Sequence, residues 1–153
     1  MSKRKMVVFQ LATEEYCLDV RYVKSIERLL PITRVPGVPT FVKGVINLRG
    51  VVTPVIDLKL RLDLPESPFT DHSRMIMVAH DDVEVGLIVD AANDVIDIEE
   101  DGIEPPPEVV GTSSRDYIQG VSQIGQRLLT ILNLEKVLDR EALHSSRVVG
   151  IEQ

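Results

Sequence analysis

The chain has 153 residues, 24 Asp and Glu against 17 Lys and Arg, a formal net charge of −7 and a hydrophobic fraction of 44%. That length holds one ordinary domain or two very small ones, and the apolar content argues against a disordered chain. The negative charge argues against generic phosphate-backbone binding, so no nucleic acid partner is expected.

The basic start, Ser2-Lys3-Arg4-Lys5, leads into an apolar run too short for a signal-peptide core, and no segment reaches the roughly 20 apolar residues of a membrane span. Membrane insertion is therefore not expected, and the single cysteine is compatible with a reducing, cytoplasmic setting. Aromatics are scarce and 22 residues are Val, which suits a pleated sheet with an aliphatic core. Met6 to Leu11 and Tyr16 to Val20 read as the first two strands, and Cys17 between Tyr16 and Leu18 reads as a small buried hydrophobe. Val20 to Glu27 reads as helical. Val42 to Leu48 and Val51 to Leu58 flank Arg49-Gly50, a hairpin signal because Gly tolerates positive φ. Pro54 inside the second of these strands removes a ladder donor and predicts a bulge or an edge. Met75 to His80, Glu84 to Val89, Asp94 to Ile98, Tyr117 to Ile124 and Arg127 to Leu132 complete the strands. Asn133 to Arg140 reads as a C-terminal helix with Asn133 as its N-cap.

The chain repeats itself. A shift of 69 places Glu15 to Val20 over Glu84 to Val89, Ile26 over Val95 and Pro36 over Pro105; a shift of 76 then places Gly44-Val45 over Gly120-Val121 and Asp57-Leu58 over Asn133-Leu134. The step from 69 to 76 implies a seven-residue insertion within Pro106 to Arg115. About five short strands per copy is enough to curl a small sheet into a barrel and hide its edges. The predicted fold is mainly all-β: two five-stranded barrels with short helices, subdomain 1 at about 6–62 and subdomain 2 at about 73–141, with the first strand free to cross to the other barrel. An aliphatic groove is expected along the seam. Split after Arg61, the halves carry 11 Lys and Arg with 5 Asp and Glu, then 6 and 19, so their net charges are +6 and −13.

Chemistry is sparse. There is no glycine-rich nucleotide fingerprint, no phosphate loop and no paired-cysteine metal motif, so no cofactor, metal or catalytic set is expected. His80-Asp81-Asp82 with Asp71-His72 reads as strand ends entering polar turns rather than as a metal cluster. The five acids of Asp97 to Glu104 read as a solvated loop. Arg49 stands out at the tip between two apolar strands, because its fork suits carboxylates and its stem packs on apolar surface. From the residues alone it is equally a solvated turn, and Val23 and Ile26 are either core or groove.

The run Val42-Lys43-Gly44-Val45-Ile46-Asn47-Leu48-Arg49-Gly50-Val51-Val52-Thr53-Pro54-Val55-Ile56-Asp57-Leu58, with Tyr16 to Val20, Val23 and Ile26 before it, resembles the CheW family of chemotaxis coupling proteins. The resemblance covers nearly the whole chain, including Val89-Asp90 and the Asn133 to Leu138 segment. It implies two SH3-like barrels and no catalysis. The implied partners are the cytoplasmic tip of methyl-accepting chemoreceptors and the regulatory domain of the histidine kinase CheA, met at receptor arrays beneath the inner membrane. It assigns Arg49, Val23, Ser25, Ile26 and Val89 to the receptor side, and Lys43 and Gly44 to the kinase side. Ser25 departs from the family, which often has Glu there, and here Glu27 follows instead. Alternatives are a coupler of a non-flagellar receptor system and, in a different class, a double-barrel small-ligand sensor.

Overall fold

Ten strands form among the residues described, 2–106 and 116–139, in a computed structural model. The segment 107–115, where most of the insertion falls, and Arg140 at the end of the expected helix lie outside them. The strands are β1 (Lys3–Leu11), β2 (Glu14–Asp19), β3 (Val23–Arg28), β4 (Val42–Leu48), β5 (Val51–Asp57), β6 (Arg74–His80), β7 (Val83–Val89), β8 (Ala91–Glu99), β9 (Ile118–Ile124) and β10 (Arg127–Leu132); two single-turn helices, α1 (Leu58–Arg61) and α2 (Leu134–Val137), follow β5 and β10. The fold is mainly β, as two five-stranded SH3-like units.

One expected helix is a strand. Only Val20–Tyr22 turns, as a 3-10 helix capped by Asp19, whose carboxylate accepts from Arg21 N at 3.0 Å. From Val23 the backbone is extended and the side chains alternate, Val23, Ser25 and Glu27 half-buried, Lys24, Ile26 and Arg28 exposed. The apolar spacing of Val20, Val23 and Ile26 imitates a helix because Ile26 points outward. Pro54 is not at an edge, since β5 lies inside its sheet between β7 and β4, but the ladder it joins is irregular beside it. Its parallel pairing with β7 begins at Val55, so Pro54 sits just before the ladder that would need its missing donor, and the irregularity falls on β4 between Val42 and Gly44.

The two sheets run β8-β1-β2-β10-β9 and β3-β6-β7-β5-β4. Under the repeat, β1 and β2 correspond to β6 and β7, β3 to β8, and β4 and β5 to β9 and β10, so the two orders match term by term. The contiguous subdomains 6–62 and 73–141 therefore do not coincide with the sheets. Each copy donates its first hairpin to the other, through the antiparallel pairs β1–β8 and β3–β6 and the parallel pairs β2–β10 and β5–β7.

This exchange explains the core. Met6, Val8 and Cys17 fill one barrel with Ile98, Leu129 and Ile131, while Met75, Met77 and Ile88 fill the other with Ile46 and Val55. The opposite faces of the same hairpins, Val7, Phe9, Leu11 and Leu18 against Ile76, Val78, Val85 and Leu87, meet in the largest apolar cluster. The expected seam groove is thus packed at its centre. Cys17 is fully buried, and burial pushes its thiol up to about 12, so it is inert packing.

The exchange also redistributes charge. Residues 20–89, which hold one sheet, carry 9 Lys and Arg and 8 Asp and Glu; the rest of the sequence carries 8 and 16. The net charges are +1 and −8, a gentler asymmetry than the contiguous halves imply.

Both helices are capped at equivalent positions. Asp57 accepts from Lys59 N at 3.0 Å, and Asn133 accepts from Lys136 N at 3.3 Å. Asp57 is fully buried and its Oδ2 has no hydrogen-bond partner. Burial pushes its carboxyl above the ordinary carboxylate range, and the amides of Leu60 and Lys59, with the Lys43 and Lys59 charges, pull it only part of the way back. A raised folded-state pKa means that the folded chain holds this proton more tightly than the unfolded chain. The carboxyl therefore lowers stability as pH rises through and beyond the unfolded value. Asp57→Asn keeps the cap and removes the charge, as Asn133 already does. In urea titrations the variant should gain on the parent between about pH 4 and pH 7; a variant that loses ground over that range would contradict this account.

Candidate functional site

The tip of the β4–β5 hairpin is built by its own residues. Arg49 and Gly50 take φ of +53 and +87, and Asn47 Oδ1 accepts from Gly50 N at 2.7 Å, which holds the turn. Arg49 projects from it with its side chain 72% exposed and one nitrogen 3.3 Å from Glu27 Oε2 on β3. β3 and β4 are the two outer strands of their sheet, so this ion pair spans the closure of the barrel. Exposed ion pairs of this kind contribute little to stability, about 0–1 kcal/mol. The arrangement orients a guanidinium without sequestering it.

Exposed apolar residues are the sequence neighbours of both ends of that ion pair. Ile26, beside Glu27 on β3, is 41% exposed, and Val51 and Val52, directly after the tip, are 57% and 63% exposed. A guanidinium at the margin of exposed aliphatic side chains is a surface suited to a protein partner carrying both an apolar stripe and a carboxylate.

The other expected site residues divide. Ser25 is half-buried beside Ile26, and Val23 is half-buried and packs on the main core, so each contributes at most an edge to this surface. Val89 is a correction: at 1% exposure it belongs to the core cluster and offers a partner nothing. Its place on β7, inside its sheet and facing the seam, buries it. Lys43 lies on β4 away from the tip, with Nζ 2.9 Å from Glu66 Oε2. Gly44 is buried, with φ +142, and a Cβ there would stand 2.1 Å from the Thr33 carbonyl oxygen. It shapes the strand rather than presenting a contact. Lys43 and the Arg49 tip are therefore separate features of one hairpin.

A second surface is one that composition and motif missed. Val95, Ile124 and Leu128 are exposed on the other barrel. The repeat offsets carry Ile26 onto Val95, and Leu48 and Val52 onto Ile124 and Leu128, so the internal similarity held the signal. Here the nearby cation is tied down. Arg127 donates to Glu15 at 2.9 and 3.0 Å and to Asp94 at 3.1 and 3.2 Å. These bonds hold the Glu15 carboxyl below the usual range and raise the guanidinium further above its own. Arg127 thus secures its barrel, whereas Arg49 remains available.

Residues 5–142 match the family model described as a CheW-like domain. The chain belongs to the CheW family. Chemotaxis protein CheW of Bacillus subtilis (strain 168) is 50% identical over 142 residues, 93% of this chain and 91% of that protein. Chemotaxis protein CheW of Klebsiella aerogenes is 32% identical over 92% of this chain and 84% of its own. Among solved structures, the scaffolding protein TtCheW from Thermoanaerobacter tengcongensis superposes with a TM-score of 0.84 at 37% identity, covering 92% of this chain and 96% of that one. The CheW-like match runs through both copies of the repeat, in keeping with a unit whose two barrels share their hairpins. No helix among the described residues is long and apolar enough to cross a membrane.

Proposed function

We propose that the protein is a non-catalytic adaptor that couples the cytoplasmic tips of methyl-accepting chemoreceptors to the histidine kinase CheA in bacterial chemotaxis, working in the cytoplasm at receptor arrays. The observation that carries this reading is the near full-length similarity to Bacillus CheW. The surface geometry supports it: Arg49 with Ile26, flanked by Ser25 and Val23, presents a charged and apolar face to a receptor helix, which would lay an amphipathic stripe against it. Lys43 contributes to the kinase-facing side, with Gly44 fixing the strand that carries it. Control is transmitted through binding geometry.

Arg49→Ala tests the assignment cleanly, because a side chain so exposed has little part in the fold. In a reconstituted mixture with a receptor tip fragment and CheA, the variant should melt like the parent and lose receptor-dependent kinase control by at least about tenfold, the loss of one well-placed charged contact. Intact coupling with Arg49→Ala would remove the tip from the receptor surface.

A coupler of a non-flagellar receptor system would use the same surfaces. Protein PilI of Pseudomonas aeruginosa is 48% identical over 58 residues, 38% of this chain and 33% of its own, a likeness over one segment only. Co-purification with the receptors and kinase of the same cell separates the two outputs. A small-ligand sensor would instead show ligand-dependent thermal shifts across a metabolite panel.

A further inference from the structure

His80 ends β6 with a ring nitrogen that makes no hydrogen bond. Its Nε2 is buried without a hydrogen-bond partner, and Asp81 Oδ2 stands 3.5 Å away. The ring is seated edge-on against Tyr22, centroids 5.4 Å apart at 87°, so its position is supported from the side. Asp81 and Asp82 form the two-residue turn, with φ of +50 and +66. Across from them stands Glu135, in the first turn of α2. One ligating atom each from His80, Asp81 and Glu135 lie within 4.8 Å of one another, beside a cavity of about 360 Å³.

We propose that His80, Asp81 and Glu135 form a binding site for a divalent first-row transition ion, with zinc the best match. An imidazole with two carboxylates is a donor set for zinc and its neighbours, whereas magnesium and calcium take oxygen alone. Three protein ligands leave a position open toward the cavity. Ligands about 2.0–2.2 Å from a tetrahedral zinc stand about 3.4 Å from each other. The gap from the observed spacing is closed by side-chain rotation of Asp81 and Glu135, both exposed, while the histidine stays on Tyr22. Lys136 lines the same cavity and opposes a cation, and Asp139 lines it and favours one. That balance works against a tight site.

The location gives the ion a structural consequence. His80 and Asp81 belong to the β6–β7 hairpin of one sheet, and Glu135 to the helix that follows the other. Arg61 already ties that helix to the first copy, donating from Nε to Val137 O at 2.9 Å and from Nη2 to Lys136 O at 3.2 Å. A bound ion would add a second tie and restrict the two barrels relative to each other. The inference stands on these residues and does not depend on the adaptor role.

The test is calorimetric titration of the tag-free full chain, stripped with chelator, with zinc chloride, alongside thermal melts. Saturable binding of one equivalent is expected, with the melting midpoint raised on the order of 5 °C at saturation, and magnesium and calcium should leave it unmoved. His80→Ala should abolish binding, Glu135→Gln should weaken it at least about tenfold through loss of a charged ligand, and His72→Ala should leave it unchanged. Absence of saturable binding below about 0.1 mM zinc, or binding that survives His80→Ala, overturns the site. Glu135→Gln guards against a folding artefact, since that side chain is exposed; binding undiminished in this variant equally overturns it.

Discussion

Gly44→Ala is expected to lower stability by about 3–5 kcal/mol, a large share of the roughly 5–15 kcal/mol that holds a domain folded. The added Cβ would meet the Thr33 carbonyl oxygen at 2.1 Å and its carbon at 2.8 Å, both backbone, so no side-chain rotation relieves it. The φ of +142 adds strain of its own, being a region open to glycine and closed to L side chains. Relief requires pulling Thr33 away from Val45, which breaks the two backbone hydrogen bonds between them, at 2.8 and 2.9 Å. Gly50→Ala is the control: its φ is +87 but nothing lies within 4 Å, so it should lose only about 1 kcal/mol. Gly120, the repeat partner, would place a Cβ 2.6 Å from the Glu104 carbonyl oxygen and should fall between them. Urea midpoints order the three, and a Gly44→Ala protein within 1 kcal/mol of the parent, on the usual extrapolation error, would refute the close approach. Gly44→Asp is consequently a poor probe of kinase binding, since lost binding would report a damaged strand.

The hairpins, the cap at Asn133 and the duplication were legible because each is written locally or at a fixed offset. β3 was not, for a physical reason. Its alternation of faces puts Ser25 and Glu27 half-buried and Ile26 out, so the period of two is inverted in polarity at these three residues, and the 3-10 turn at Val20–Tyr22 supplies a false helical start. The repeat contained the remedy, since Ile26 aligns with Val95 in a segment that reads as a strand.

Partner choice between strands was illegible for another reason. An exchanged hairpin presents the same side chains to either barrel, and only the completed core distinguishes the two pairings. The resemblance alone had put Val89 on the surface, and the strand pattern left Glu27–Arg49 and His80–Glu135 unpaired, because nothing in their sequence separation reports closure of a barrel or packing of α2 on a distant turn. Arg49 itself was legible as a tip residue, while its freedom from strong partners became visible only beside the fully engaged Arg127.

The exchange concentrates polar interactions where the chain crosses between barrels, and Lys59 is the residue on which they converge. Its side chain is 4% exposed, and its Nζ stands 2.9 Å from Asp90 Oδ1 and also reaches Ser67 Oγ. Asp90 lies between β7 and β8, and its Oδ2 accepts from Ala12 N at 2.6 Å in the β1–β2 turn. One ammonium thus joins α1, the segment before β6, and the point where the second hairpin hands over to the other barrel. Lys59→Ala should lower stability by about 3 kcal/mol, at the low end for a broken buried pair because solvent reaches part of Asp90. Lys59→Met keeps the aliphatic stem and should lose about 2 kcal/mol, the difference measuring packing rather than charge. Adding Asp90→Asn to Lys59→Met should cost less than the two single changes together, because the second partner no longer carries an unpaired charge. The coupling should also survive high salt, unlike that of the exposed Lys5–Asp97 pair at 3.3 Å. Strict additivity in the double-mutant cycle, or a coupling screened away at 1 M salt, as for exposed charges, would show that Lys59 acts as a surface cation and that the crossing point is held by the core alone.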